Sequence, residues 1–126
     1  MTSPARAIAL LGLFSRERPV WATDEMIDAL GYARATGYRY VKDLVAAGLL
    51  QKVSAGRYAL GGRIIELDYQ LRESDPVLLA AMPAMQRLAA DTGLDAVLSV
   101  LFAGPKVIDV HRAAAAGSTL HLSFGR

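Results

Sequence analysis

The stretch Gly31 to Arg63, GYARATGYRYVKDLVAAGLLQKVSAGRYALGGR, decides the fold and carries the chain's strongest charge signal. Six basic residues, Arg34, Arg39, Lys42, Lys52, Arg57 and Arg63, stand in it against one acidic residue, Asp43. The whole chain of 126 residues has 14 Lys and Arg and 12 Asp and Glu, so elsewhere acidic side chains outnumber basic ones, eleven to eight. Positive charge gathered into one segment is what a polyanion-binding surface needs. Gly37, Tyr40, Val41 and Leu44 fall at i, i+3, i+4 and i+7, the apolar face of a helix expected over 33–47. Ala35, Tyr38, Arg39 and Lys42 make the opposite face. Gly37 lies on the packing side, where it costs helix stability, which points to a close approach of the preceding helix. After Gly48, the runs Leu49 to Val53 and Arg57 to Leu60 flank Ser54, Ala55 and Gly56 as a β-hairpin.

Upstream, Ser3 is placed to cap a first helix, with Pro4 at its first position and Ile8, Leu11 and Phe14 on one face. Pro19 interrupts the pattern. Thr23 is the expected cap of a second helix, with Asp24 and Glu25 in its first turn, where carboxylates favour the helix dipole. Met26, Ile27 and Leu30 form its buried stripe, and Gly31 is suited to end it in a left-handed conformation. Two helices, a short turn, a basic helix and a basic hairpin make a winged helix-turn-helix.

Downstream, Arg63 to Arg72 places Ile64, Leu67 and Leu71 at helical spacing, a narrow stripe suited to a linker helix that pairs with a partner. Glu73 to Pro76 ends it, because the residue before proline is pushed out of helical geometry. A further helix is expected from Val77 to Thr92, with Leu78, Met82, Met85, Leu88 and Ala89 in register and Gly93 behind it. Three β-rich runs follow, Asp95 to Phe102, Val107 to Arg112 after a Gly104, Pro105 turn, and Thr119 to Phe124, with Ala113 to Ala116 as a loop. One helix and three strands make a thin core with a face or edge uncovered, so this unit is expected to be incomplete or completed by another chain. The organisation is α+β, with a winged domain over 1–62, a linker helix over 63–75 and a second domain over 76–126.

Several function classes drop out. The chain has no Cys and only two His, His111 and His121, which excludes a disulfide framework and a Cys-ligated metal site and leaves little for any metal cage. His111 and Arg112 with Asp109 nearby lack a nucleophile or third group at motif spacing, so no catalytic site is expected. Asp91, Asp95 and Asp109 read as solvated groups at helix and strand ends. Gly61 and Gly62 lack a phosphate-loop fingerprint, and no cofactor is implied. The apolar run Ala7 to Phe14 is too short to span a bilayer, so a cytoplasmic protein without membrane contact is the expectation.

In a major groove, residues at a helix N-terminus reach base edges, while later residues and flanking loops hold phosphates. Arg34, Thr36, Tyr38 and Arg39, with the small Ala35 between them, are therefore the expected base-reading set. Lys42 reads as a phosphate contact, and Lys52 and Arg57 lie on the hairpin, where a wing meets the backbone or minor groove. The plain alternative for one charged face is solubility. A second alternative is a protein-interaction module whose basic face docks an acidic partner, since winged folds do both. The whole order of elements favours double-stranded DNA.

The segments LGLFSRERPVWATDEMIDALGY, ATGYRYVKDLVAAGLL, GRYALGGRIIEL and DPVLLAAMPAMQRLAADTGLDAVLSV resemble the IclR family of bacterial transcriptional regulators. The distinctive features are a Tyr-x-Leu-Gly end to the wing, a linker helix, and then a helix ending in Thr-Gly before a strand. The resemblance implies a dimeric regulator with a winged helix-turn-helix, a linker helix and a GAF-like α/β effector domain that binds a small organic acid, aromatic or carboxylic. Arg39 matches the family's Arg in the recognition helix and Thr36 its Thr at the helix start. Ala35 departs where the family often has Ser, and Gly37 where a branched apolar residue is usual. Family members continue well past the SFGR-like segment, so the effector domain is expected to be truncated here and no ligand-contacting residue is carried over.

Overall fold

The computed structural model describes residues 1–115. The strand expected from Thr119 to Phe124 and His121 lie outside the described residues. The chain divides into two compact units, Met1–Tyr69 and a second beginning at Gln70.

In the first unit, α1 (Ser3–Ala9) passes into a 3-10 segment (Leu10–Leu13), then come β1 (Trp21–Ala22), α2 (Thr23–Leu30), α3 (Arg34–Ala46), β2 (Leu50–Ser54), β3 (Arg57–Leu60) and α4 (Gly62–Ser74), whose C-terminal residues fall in the second unit. The cap of α1 is Thr2 rather than Ser3, its Oγ1 accepting from the Ala5 N–H at 3.3 Å. Of the expected Ile8, Leu11, Phe14 face, Leu11 and Phe14 pack half-buried against the core and only Ile8 does not. Leu10, the first residue of the 3-10 segment, is wholly buried while Ile8 is 51% exposed.

The N-cap of α2 is Ala22, not Thr23. An alanine side chain has no oxygen to offer, and the end is held instead by Glu25, whose Oε1 accepts from the Ala22 N–H at 2.9 Å. Thr23 is buried, and its N–H donates to the Gly56 carbonyl at 3.2 Å, tying α2 to the tip of the hairpin. Beside this tie runs β1, which pairs antiparallel with β3 in the register Trp21↔Tyr58 and Ala22↔Arg57, so the wing is a three-stranded sheet in the order β1-β3-β2. Gly31 ends α2 with φ 69°, in the left-handed region that lets the chain turn directly into α3. Gly37 brings α3 against α2: a Cβ there would lie 2.8 Å from Ile27 Cδ1 and closer still to Cγ1. Leu10, Trp21, Met26, Tyr40, Val41, Leu44 and Leu50 form the core of this unit.

In the second unit, α5 (Pro76–Thr92) starts at Asp75, whose Oδ1 accepts from the Val77 N–H at 3.0 Å, and it accommodates Pro83 in its interior. It packs with an antiparallel pair, β4 (Ala96–Phe102) and β5 (Lys106–Ala113), joined through Ala103, Gly104 and Pro105. Met85, Ala89, Ala96 and Ala113 form a small buried cluster. Leu88 is exposed rather than in the stripe, and Ala113 closes β5 opposite Ala96 rather than starting a loop. Asp95 is not a solvated strand-edge group. Its side chain is 13% exposed, accepts from the Ala115 N–H at 2.8 Å and faces the Arg112 guanidinium at 3.9 Å. Asp109 is likewise engaged, accepting from the Ser99 hydroxyl at 2.6 Å across the strand pair.

Candidate nucleic-acid interface

Packing fixes the rotation of α3 about its own axis. Gly37, Tyr40, Val41 and Leu44 are all buried, and the Tyr40 ring meets Tyr32 edge-on, with centroids 5.6 Å apart and planes at 83°. Tyr32 in turn donates its hydroxyl to the Arg6 carbonyl at 2.8 Å, so α1, the α2–α3 turn and α3 are linked through one pair of rings. The opposite face is thereby turned outward. Arg34, Ala35, Tyr38, Arg39 and Lys42 are exposed and Thr36 is half-buried.

Lys52 on β2 and Arg57 on β3 are exposed as well. Between α3 and the wing lies an open cleft of about 520 Å³. Val41, Val45 and Tyr58 contribute its apolar part, and Arg39, Lys42 and Lys52 surround it with positive charge. Tyr38 lines it too, so four of the eight residues expected at the interface meet around one cleft. Arg34, Ala35, Thr36 and Arg57 do not line it. The Arg39 guanidinium lies 5.6 Å from the Tyr40 ring centroid, a contact that leaves its N–H donors for other partners.

Arg34 and Tyr38 are joined through a residue that the sequence marked only for its place in the first turn of α2. The Asp24 Oδ1 accepts from Arg34 Nη1 at 3.0 Å and from the Tyr38 hydroxyl at 2.9 Å. Arg34 Nη2 also lies 3.4 Å from the Tyr38 oxygen, and the guanidinium sits 5.0 Å from the ring centroid. Giving its hydrogen to Asp24 holds the Tyr38 phenol above its ordinary pKa of 10.0. The Arg34–Asp24 pair is 73% and 58% exposed, and such pairs contribute about 1 kcal/mol or less, so Arg34 is free to exchange partners. Asp24 lies 10 residues from Arg34 and 14 from Tyr38, a separation with no local periodicity to reveal it.

At the base of the wing, Glu25 is held below the ordinary carboxyl pKa of 4.5, first by the Ala22 N–H bond and further by the charges of Arg18 and Arg57, with desolvation opposing. Arg18 bonds Glu25 Oε2 at 2.6 Å and lies 3.4 Å from the Trp21 ring centroid, joining β1 to the start of α2. Among the described residues no group of His, Cys, Asp and Glu is placed to hold a metal ion, and no helix is long and apolar enough to cross a membrane.

Residues 3–54 match the IclR helix-turn-helix domain. Solved structures similar to the chain include a candidate IclR transcriptional regulator from Silicibacter sp. TM1040, at 25% identity and a TM-score of 0.82 over 99% of this chain and 50% of that one. An IclR family transcriptional regulator from Brucella abortus gives 24% identity and a TM-score of 0.83, over 99% of this chain and 48% of that one. An IclR homolog from Microbacterium hydrocarbonoxydans, complexed with 4-hydroxybenzoate, gives 23% identity and a TM-score of 0.70, over 97% and 50%. The chain thus spans about half the length of the solved relatives it matches. No curated protein matches it.

Proposed function

The chain carries an IclR helix-turn-helix domain over residues 3–54, and from that premise we propose that it is a sequence-specific DNA-binding regulator of transcription. One observation carries this reading: burial of Gly37, Tyr40, Val41 and Leu44 turns Tyr38, Arg39 and Lys42 outward beside Lys52 of the wing. A helix presented this way fits a major groove, with Thr36 and Arg39 at base edges and Ala35 small enough to allow close approach. Lys42 and Lys52 then flank the strand of phosphates that runs between helix and wing, and Arg57 approaches the backbone from the wing's outer side.

One reading helix contacts too few bases to single out a genomic site, so the acting species is a homodimer or a higher homo-oligomer. Along α4, Leu67 is 46% and Leu71 62% exposed, which supports the Ile64, Leu67, Leu71 stripe as the pairing seam. A cytoplasmic location is the one consistent with this DNA-binding reading. We read the second unit as belonging to an effector domain of the kind that binds a small organic acid, aromatic or carboxylic, which would control DNA binding. The 4-hydroxybenzoate bound to the Microbacterium relative supports that class of ligand.

Selection of bound duplexes from a random pool tests the reading. The chain should enrich a defined motif, and Arg39→Ala should weaken binding to it by about 1–3 kcal/mol, the worth of a good contact to a base edge. An Arg39→Ala protein that binds the motif at full affinity removes Arg39 from the reading set. Failure to enrich any duplex leaves the basic face to an acidic protein partner.

A further inference from the structure

The Asp24, Arg34, Tyr38 cluster lies at the reading end of α3, and its hydrogen-bond inventory restricts what Tyr38 can recognise. A phenol has one hydrogen. The Tyr38 hydroxyl spends it on Asp24 Oδ1 at 2.9 Å, while Arg34 Nη2 donates to the same oxygen at 3.4 Å and takes one of its two lone pairs. Tyr38 is 41% exposed and lines the cleft beside Arg39 and Lys42, and with its hydrogen given to Asp24 and one lone pair taken by Arg34, what the hydroxyl can still offer is its second lone pair rather than a proton. Arg34 offsets the charge that Asp24 would otherwise present to phosphates, which lets a carboxylate sit beside a basic surface.

In the major groove the donors are the cytosine N4 and adenine N6 amines, whereas guanine O6 and thymine O4 are acceptors. We propose that Asp24 is a positioning residue for base selection: by taking the only proton of the Tyr38 hydroxyl it makes that oxygen an acceptor, so the strand facing Tyr38 carries A or C there in preference to G or T. The inference rests on the DNA-binding reading above. The hydrogen bond to Asp24 also raises the pKa of Tyr38, so the phenol keeps its proton, and with it this bonding pattern, throughout the neutral range.

The test is the same selection from a random duplex pool, run with the 126-residue chain and with Asp24→Ala, Asp24→Asn and Tyr38→Phe. The wild-type motif should contain one position per half-site where A and C exceed G and T by about fivefold, the net worth of one hydrogen bond. Tyr38→Phe and Asp24→Ala should each flatten that position alone, the first by removing the acceptor and the second by freeing the hydroxyl to donate. Asp24→Asn, whose amide oxygen still accepts from the phenol, should retain the preference. A merely structural role for Asp24 would lower affinity for all sequences and leave the position unflattened, which overturns the proposal. A preference that survives Tyr38→Phe belongs to another side chain and also overturns it. The DNA-binding reading survives both of those results. Only a failure of the wild-type chain to enrich any sequence takes both down together.

Discussion

Gly37→Ala measures how closely α2 and α3 approach, and its effect follows from two opposing quantities. Replacing an interior helical glycine by alanine gains about 1 kcal/mol in helix propensity. Here the new methyl would sit 2.8 Å from Ile27 Cδ1 and closer to Cγ1, and overpacking of this kind costs about 1–3 kcal/mol. The clash should win by about 1 kcal/mol. Ile27→Ala relieves it, because the nearest remaining atom of that side chain is then Cβ, at an ordinary 3.5 Å. In the wild type Ile27→Ala should cost about 2–5 kcal/mol, and in the Gly37→Ala background about 1–3 kcal/mol less. Urea unfolding followed by fluorescence reads this directly, since Trp21 is the chain's one tryptophan and lies in the core of the first unit. Additivity of the two substitutions within about 0.5 kcal/mol, or stabilisation by Gly37→Ala alone, would refute the argument.

Two further outcomes concern Glu25 and the exposed stripe of α4. Glu25 has its folded pKa depressed below 4.5, so the stability its charge contributes is complete above that value and is lost as pH falls through the lower, folded one. Glu25→Gln keeps an acceptor for the Ala22 N–H but no charge, so the wild type's stability advantage over it at neutral pH should shrink towards zero in acid. A gap between their urea midpoints that stays constant from about pH 6 down to about pH 3 would contradict this. On α4, Leu67→Glu places a charge in the proposed seam. Sedimentation at micromolar concentration should shift from dimer to monomer, and an unchanged dimer moves the seam elsewhere.

Short-range periodicity and turn residues make most of the first unit legible. The four buried positions of α3, the left-handed Gly31 and the hairpin all follow from spacing and from backbone sterics that act within a few residues. Gly37 was readable as a close approach because an interior glycine on an apolar face has no local benefit. The failures have a common physical origin in partners distant along the chain. A two-residue strand such as β1 has no periodicity to read, and only its pairing with Tyr58 and Arg57 defines it. Asp24 carried a sufficient local explanation as a first-turn carboxylate, which concealed its bonds to Arg34 and Tyr38. Asp95, read as solvated, is enclosed by Arg112 and the Ala115 N–H, neither of which is near it in sequence.

If the outward face of α3 and the wing neutralise DNA phosphates, duplex binding must weaken with salt. The logarithm of affinity should fall linearly with the logarithm of salt concentration, with a slope of about −0.9 for each phosphate neutralised. Lys42→Ala and Lys52→Ala should each reduce the steepness by about 0.9 while weakening all sequences alike. A slope near zero, or one that neither substitution changes, would contradict the account and leave the charge of the Gly31 to Arg63 stretch without DNA as its partner.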